Sequence, residues 1–308
     1  MRRAPWLLLI LTLSLLLAGC SAAPPGLVIR LKDLDPTLAA GDPGISPRPV
    51  LRVGVSPMLS PREMLLRYGP LMDYLGRRLG RRVELVLPRS HTETFEMVRS
   101  GAVQVAVVSG YAYVLGQKEF GMEALAVPTY DGLPTRRAHV LVRRYSGIIQ
   151  FSDLKGHTFA YTDPLSASGR LYPEAKVLDL SEPLDRFFER TTFVASDDKA
   201  LKALDQGLVD GCAVDSAMYD YAVLADPDLA RRLRIIDTSE PLGAPPVVVS
   251  PRMGSELKRA LQEALLDLDQ DDVGRSVLSR LQTERYVKPD SAWYESIRTL
   301  AAQVGARQ

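Results

Sequence analysis

Two short runs in this 308-residue chain place hydrogen-bond donors where a small anion could be held. In Ser166-Ala167-Ser168-Gly169, two hydroxyls and a glycine stand where the chain enters a helix. Side-chain O–H and unpaired main-chain N–H groups then converge on one point, which the helix dipole makes favourable to negative charge. The same pattern has a plainer reading, in which a serine at a helix start satisfies only that helix. Ser109, at the end of an apolar strand and ahead of Gly110-Tyr111-Ala112-Tyr113, stands under the same two readings, hydroxyl donor or cap. A micromolar ligand needs about 8 kcal/mol. A helix end offers roughly 0.3 to 2 kcal/mol and a charge-assisted hydrogen bond about 1.5 to 3, so several more donors must face the Ser166 loop.

Most other chemistry lacks its parts. Neither Gly-x-Ser-x-Gly nor a glycine-rich phosphate loop ending in Lys-Ser/Thr occurs, and Cys212, in Gly211-Cys212-Ala213-Val214, has no evident base and reads as a buried core thiol. An enzyme is not expected, and no cofactor is called for. His91, His139 and His157 are isolated and read as surface or strand-edge residues, and with 2 cysteines and 3 histidines no zinc site can be built. The pairs Tyr111/Tyr113 and Tyr219/Tyr221 would point to different faces of a helix, which discounts iron. With 38 Lys plus Arg against 37 Asp plus Glu there is no net field to collect nucleic acid. The arginine steps Arg77-Arg78, Arg81-Arg82, Arg136-Arg137 and Arg143-Arg144 read as solvated faces, whereas Arg170 directly follows the candidate anion loop.

The first fifty residues describe export. Arg2 and Arg3, an apolar run too short to span a membrane, and small residues before Cys20 come in signal-peptide order. Leu17-Ala18-Gly19-Cys20 resembles the bacterial lipobox, which implies cleavage after residue 19 and lipid on Cys20. Removing residues 1–19 takes away two arginines and no acid, so the 38 basic side chains fall to one fewer than the 37 acidic ones. With Cys20 lipidated, Cys212 has no intrachain partner, and the exported protein folds without a disulfide. Residues 20–49 carry Pro24, Pro25, Pro36, Pro43, Pro47 and Pro49, the composition of a stiff tether, although residues 27–34 could add an edge strand. The protein is expected in the cell envelope, lipid-anchored to a membrane.

The body, 46% hydrophobic and 24% charged over the whole chain, reads as alternating strands and helices. Strands are expected at 50–55, 83–87 and 103–108, separated by a helix carrying Leu71, Leu75 and Leu79 up to Gly80 and a short one over 92–100, with a further helix from about Ala112. This βαβαβ order implies a parallel sheet with a crevice at the strands' carboxyl ends. A second unit has strands near 158–161, 192–194, 211–214 and 233–236, after which 247–250 returns to the first and Leu257, Leu261, Leu265 and Leu268 stripe a long helix. The expected division is a first lobe of residues 50–142 with 246–308 and a second of 143–245. The crossings fall near 140–146 and 238–246, and the tail from Ser255 lies in the first lobe.

Several of these pieces, taken in order over residues 50–300, resemble the phosphonate, phosphite and phosphate binding-protein family of ABC importers. They are Leu51-Arg52-Val53-Gly54-Val55; Pro70-Leu71-Met72-Asp73-Tyr74-Leu75 with Gly80 and Val83-Glu84-Leu85; residues 105–113; and Asp153-Leu154-Lys155-Gly156 with Asp163-Pro164-Leu165-Ser166-Ala167-Ser168-Gly169. The resemblance implies an α/β, two-lobed type II periplasmic-binding-protein fold with two hinge crossings. It implies a monomer that closes on a small oxyanion and delivers it to an ABC permease in the cytoplasmic membrane. A ligand-sensing lipoprotein of the same fold is the alternative.

The implied ligand-binding set is Ser109, Tyr113, Ser166, Ala167, Ser168, Gly169, Asp197 and Asp215. Tyr113 aligns with the family's ligand-contacting tyrosine and Asp215 with a second-lobe contact position, and the loop at 56–60 faces the same crevice. Ala167 replaces a hydroxyl residue of the family's Ser-Thr-Ser-Gly. In Ser196-Asp197-Asp198, Asp197 stands where the family often has histidine. Either Asp197 meets a ligand bearing an ammonium group or a proton, or it points away and caps the following helix.

Overall fold

The computed structural model describes residues 49–306. The signal segment, Cys20, the tether and the candidate edge strand at 27–34 lie outside the described residues. The chain runs through β1 (Leu51–Val55), α1 (Pro61–Leu79), β2 (Val83–Val86), α2 (His91–Ser100), β3 (Val105–Val107), α3 (Gly110–Phe120) and β4 (Glu123–Pro128) before crossing at β5 (Thr135–Arg136). There follow β6 (Ala138–Arg143), β7 (Thr158–Tyr161), a π-helical turn (Ala167–Leu171), α4 (Tyr172–Asp179), α5 (Leu184–Phe187), β8 (Arg190–Phe193), α6 (Asp197–Asp205), β9 (Gly211–Asp215), α7 (Ser216–Ala225), α8 (Leu229–Arg232) and β10 (Leu233–Thr238). The chain returns through β11 (Leu242–Gly243) to β12 (Val247–Val249), α9 (Ser255–Leu266), α10 (Asp272–Leu281), β13 (Tyr286–Val287) and α11 (Glu295–Gly305).

Local signals account for both ends of α1. Ser60 caps α1 by accepting the Glu63 N–H, Pro61 opens the helix where its missing N–H is not needed, and Gly80 closes it in the left-handed region with φ 58°. Leu71, Leu75 and Leu79 form its buried stripe. All three residues of β3 are buried, as expected of a strand covered on both faces.

The main sheet of each lobe is mixed rather than wholly parallel. In the first, ordered β13-β4-β12-β3-β1-β2, the βαβ part (β2, β1, β3) is parallel, while β12 enters antiparallel between β3 and β4. Its direction follows from its origin, since it arrives from the other lobe. The second sheet is ordered β10-β6-β9-β7-β8, with β7 parallel to β8 and β9 and β6 antiparallel to β9 and β10. Cys212 is buried in β9, and burial pushes its thiol pKa up, as a core thiol requires. Among the described residues no helix is long and apolar enough to cross a membrane.

Two expectations about lobe boundaries change. Strand β6, whose first five residues were assigned to the first lobe, lies inside the second sheet, and the crossings are the paired strands β5 and β11 at 135–136 and 242–243. An apolar strand carries no mark of which sheet it will join, so only the pairing reveals this. The tail is also shared: Gln303 of α11 donates to Asp179 Oδ1 at 2.7 Å and to the Ala175 carbonyl at 3.3 Å, both on the second-lobe helix α4, while α11 also packs on α3. Buried Tyr294, Ile297 and Val304 belong to one apolar cluster with residues of both lobes.

The hinge is packed tightly enough to require glycine. A Cβ on Gly243 would lie 2.6 Å from the Tyr294 ring and 2.8 Å from the Trp293 carbonyl, and one on Gly110 would lie 2.9 Å from the Gly243 carbonyl. The Tyr294 hydroxyl pins this corner by donating to the Ala244 carbonyl at 2.9 Å. Gly243→Ala is therefore expected to destabilise the protein by about 1 to 3 kcal/mol, read as a lowered thermal midpoint, because the overpacked methyl must displace ring or backbone.

Candidate functional site

A cavity of about 40 Å³ lies where the two lobes meet the hinge. The first lobe contributes Met58, His91 and the Ser109–Gly110 step, and the hinge contributes Arg136, Arg137, Leu242, Gly243 and Pro245. The second lobe contributes Ser166, Ala167 and Ser168 with Asp197 and Asp215. The volume admits a few waters or one compact polar guest.

On the second-lobe wall, Ser166 is the helix cap: its Oγ accepts the Gly169 N–H at 2.9 Å and retains its own proton to donate. The first main-chain bond of this helix runs from Leu171 N–H to the Ser166 carbonyl, an i to i+5 step. A π turn leaves one more leading N–H without an intrahelical acceptor than an α turn does; of these amides, those of Ala167 and Ser168 belong to residues on the cavity wall, while that of Gly169 is taken by Ser166 Oγ. Gly169 does not line the cavity. It permits a close approach instead, since a Cβ there would collide with Thr162, whose N–H donates to the Gly169 carbonyl at 3.3 Å.

Ser109 caps α3 by accepting the Ala112 N–H at 3.1 Å, and its hydroxyl donates across the cleft to the Leu165 carbonyl. A second tie crosses nearby: Asp163 accepts the His91 N–H at 3.0 Å through Oδ2 and the Leu165 N–H at 2.8 Å through Oδ1. At the rim, the Tyr221 hydroxyl donates to Glu63 at 2.9 Å, and the Arg67 guanidinium carbon lies 3.8 Å from the Tyr221 ring centre.

The two aspartates meet as a pair. Asp197 is the first residue of α6, but it does not cap that helix; its Oδ1 accepts the Asp215 N–H at 2.9 Å. Burial, with the neighbouring Asp215 carboxylate, raises its pKa to about 7. Asp215 Oδ1 accepts the Ala217 N–H at 2.9 Å, capping α7, and meets Arg136 Nη1 at 3.1 Å.

Of the residues singled out in the sequence, Ser109, Ser166, Ala167, Ser168, Asp197 and Asp215 come together at the cavity, whereas Gly169 and Tyr113 do not line it. Tyr113 packs into the first lobe with its ring centre 4.7 Å from that of Tyr294, and its hydroxyl accepts from Gln117 at 3.2 Å. Arg170 turns outward, bonding Glu174 at 2.9 Å and the Pro164 carbonyl at 3.0 Å. His91 is neither a surface nor a strand-edge residue but a buried helix-start residue on the cavity wall, and Arg136 is buried rather than solvated. Both escape a sequence reading because an isolated histidine or a doubled arginine is usually exposed. Asp163 was legible as part of the Asp-Pro-x-Ser run, but not its contact with the other lobe. Among the described residues no three His, Cys, Asp or Glu side chains are placed to hold a metal.

Residues 53–294 match the family model described as the periplasmic substrate-binding protein of the phosphonate ABC transporter. A phosphate-import protein of Mycolicibacterium smegmatis is 29% identical over 121 residues, an alignment spanning 38% of each chain. The crystal structure of a binding-protein component of a phosphonate ABC transporter from Pseudomonas aeruginosa superposes with a TM-score of 0.78 at 21% identity, covering 84% of this chain and 88% of that one. A Prochlorococcus marinus protein in complex with methylphosphonate gives a TM-score of 0.76 at 17% identity, covering 84% and 99%. At these identities the superpositions speak for the fold.

The Asp197 carboxyl carries a pH signature. Its folded pKa of about 7 lies above the ordinary carboxylate value near 4. Its contribution to stability is therefore complete below about pH 4 and is lost as the pH rises toward 7, where a buried charge must form. Asp197→Asn should flatten the fall in thermal midpoint between about pH 4.5 and 7.5 relative to wild type, because the amide keeps the bond to Asp215 N–H without ionising.

Proposed function

The chain belongs to the periplasmic phosphonate substrate-binding proteins of ABC transporters, and from that premise we propose that it captures a small oxyanion of the phosphonate, phosphite or phosphate type between its lobes. The ligand meets one lobe first, and contacts from the other then favour the closed arrangement through their differential affinity. The captured anion passes to an ABC permease in the cytoplasmic membrane. The protein acts as a monomer tethered by lipid on Cys20, with residues 20–49 as spacer.

The observation that carries this reading is one cavity walled from both lobes, with the Ser166 and Ser168 hydroxyls and the Ala167 and Ser168 amides on the second-lobe wall, Ser109 and His91 on the first-lobe wall and Arg136 at the hinge. No single wall has enough donors for a useful affinity, so binding has to couple to closure. The size of the cavity suits a tetrahedral oxyanion with at most a short substituent, and methylphosphonate, the ligand of the Prochlorococcus marinus neighbour, is of that size. The Asp215, Asp197 and Ala167 positions line the same space and narrow the choice of guest. Asp163 and Ser109, which tie one lobe to the other, give closure contacts that do not depend on the guest.

A thermal-shift panel of phosphate, phosphite, methylphosphonate, aminoethylphosphonate, sulfate and organic acids tests the assignment. A true ligand at about 100 times its dissociation constant adds roughly 2.7 kcal/mol of stability. Ser166→Ala with Ser168→Ala is expected to remove that gain while lowering unliganded stability only by a lost cap, about 0.5 to 2 kcal/mol. An undiminished ligand shift in the double variant would overturn the site. In detergent phase partitioning, wild type should enter the detergent phase and Cys20→Ser the aqueous phase; equal partitioning would remove the anchor from the reading.

A further inference from the structure

Of the two arginines that line the cavity only Arg136 is buried, and it stands against two carboxylates, a balance that limits the negative charge the cavity can accept. Arg136 is 9% exposed, with Nη1 on Asp215 and its guanidinium carbon 3.7 Å from the centre of the Tyr130 ring. Its buried Nε has no hydrogen-bond partner among the described residues. Burial works against the charge, but the Asp215 carboxylate, together with the Tyr130 and Tyr68 hydroxyls, outweighs it and holds the guanidinium ionised. A buried N–H without a partner is costly, so this donor is held ready for an acceptor that the chain does not supply.

His91 lines the same cavity with the opposite chemistry. Its Nε2 lies 3.2 Å from the Pro57 carbonyl, and a carbonyl only accepts, so Nε2 carries the ring proton. The tautomer follows from that partner. Buried Nδ1, with no partner among the described residues, is then a lone pair. Burial lowers the His91 pKa despite Asp163, which keeps the ring neutral.

We propose that this cavity takes a singly charged oxyanion that still bears one O–H, with Arg136 Nε bound to a charged oxygen and the O–H donated to His91 Nδ1, while Asp197 and Asp215 exclude a second negative charge. The inference rests on the cavity being the ligand site and adds the charge state that it selects. Asp215 already balances Arg136, and the exposed Arg137 lends its guanidinium to the Ser239 carbonyl, so a dianion would face Asp215 and, when ionised, Asp197 with no buried cation left to pair with it. The charged and titratable groups around these residues are Asp215, Tyr130, Tyr68, Tyr286 and Asp220 at Arg136; Asp215, Asp198, Arg136 and the Cys212 thiol at Asp197; His139 and Asp220 at Asp215; Asp163 at His91; and Arg137 on the hinge side of the cavity.

Calorimetric titration of the full chain with phosphite, methylphosphonate and sulfate at about pH 5.5 and about pH 8.5 reads the charge state, because the first two pass from monoanion to dianion in that window. Phosphite or methylphosphonate should bind at least about tenfold tighter at the lower pH. Sulfate, a dianion without an O–H throughout, should not bind. Arg136→Gln should weaken binding by about tenfold or more. Because that change orphans Asp215, the paired Arg136→Gln/Asp215→Asn variant is also needed, and it should melt like wild type yet remain weak. His91→Phe should shrink the preference for the lower pH without abolishing it, since Asp215 still faces a dianion, whereas Asp197→Asn should keep its sign, which assigns the proton to the ligand. Equal binding at both pH values, binding of sulfate, wild-type affinity in the paired variant, or loss of the preference in Asp197→Asn would each overturn the inference while leaving the cavity as an anion site. If wild type binds none of these anions at either pH, the reading of the cavity itself fails, and the inference with it.

Discussion

The contact between Arg136 and Asp215 constrains everything around the cleft. One guanidinium from the hinge strand meets a carboxylate oxygen that also caps the helix following β9, so hinge geometry, the start of α7 and the electrostatics of the cavity are set by the same three atoms. Breaking such a buried pair on one side typically costs about 3 to 5 kcal/mol, chiefly through the charge left behind. The Tyr130 ring covers the outer face of the guanidinium and Asp197 lies behind Asp215. The chain therefore maintains a buried cation at the point where the two lobes join, which is where the proposed anion would need it.

The lobes are joined across the cleft by individually modest contacts. The Asp163 carboxylate on the His91 amide, the Ser109 hydroxyl on the Leu165 carbonyl, and the Tyr221 hydroxyl on Glu63 join the lobes directly. Hydrogen bonds of this kind contribute about 0.5 to 1.5 kcal/mol each, somewhat more when charged. Under the proposed hinge closure, a set of that size would bias the closed form without locking it, so that a guest of ordinary affinity could decide the population. The apolar cluster around Tyr294 and Ile297, shared between lobes, gives this side of the hinge a firmer pivot than the two-stranded crossing alone would supply.

The motif around Ser166 illustrates how far local patterns carry. Its two sequence readings, cap and anion donor, are compatible in three dimensions, because Oγ caps by accepting and still has a proton to give. Asp197 likewise fits neither sequence alternative fully: it is on the cavity wall, yet it spends an oxygen on the Asp215 amide rather than on its own helix. Tyr113 was chosen by alignment, and its ring instead fills the corner against Tyr294.

Composition, strand and helix periodicity and the Asp-Pro-x-Ser-x-Ser-Gly run were enough to establish an α/β family member without catalytic motifs, most of its element positions, and six of the residues that line the cavity. Those features are local, written in side-chain spacing and in the glycines and serines that end and begin elements. Which sheet claims β6, the sharing of α11 between lobes, and the burial of His91 and Arg136 beside the candidate anion loop were decided only by the tertiary structure. They depend on contacts between residues far apart in the chain. A charged or titratable side chain takes its role from the dielectric and the partners that such contacts create, and its neighbours in sequence do not encode them.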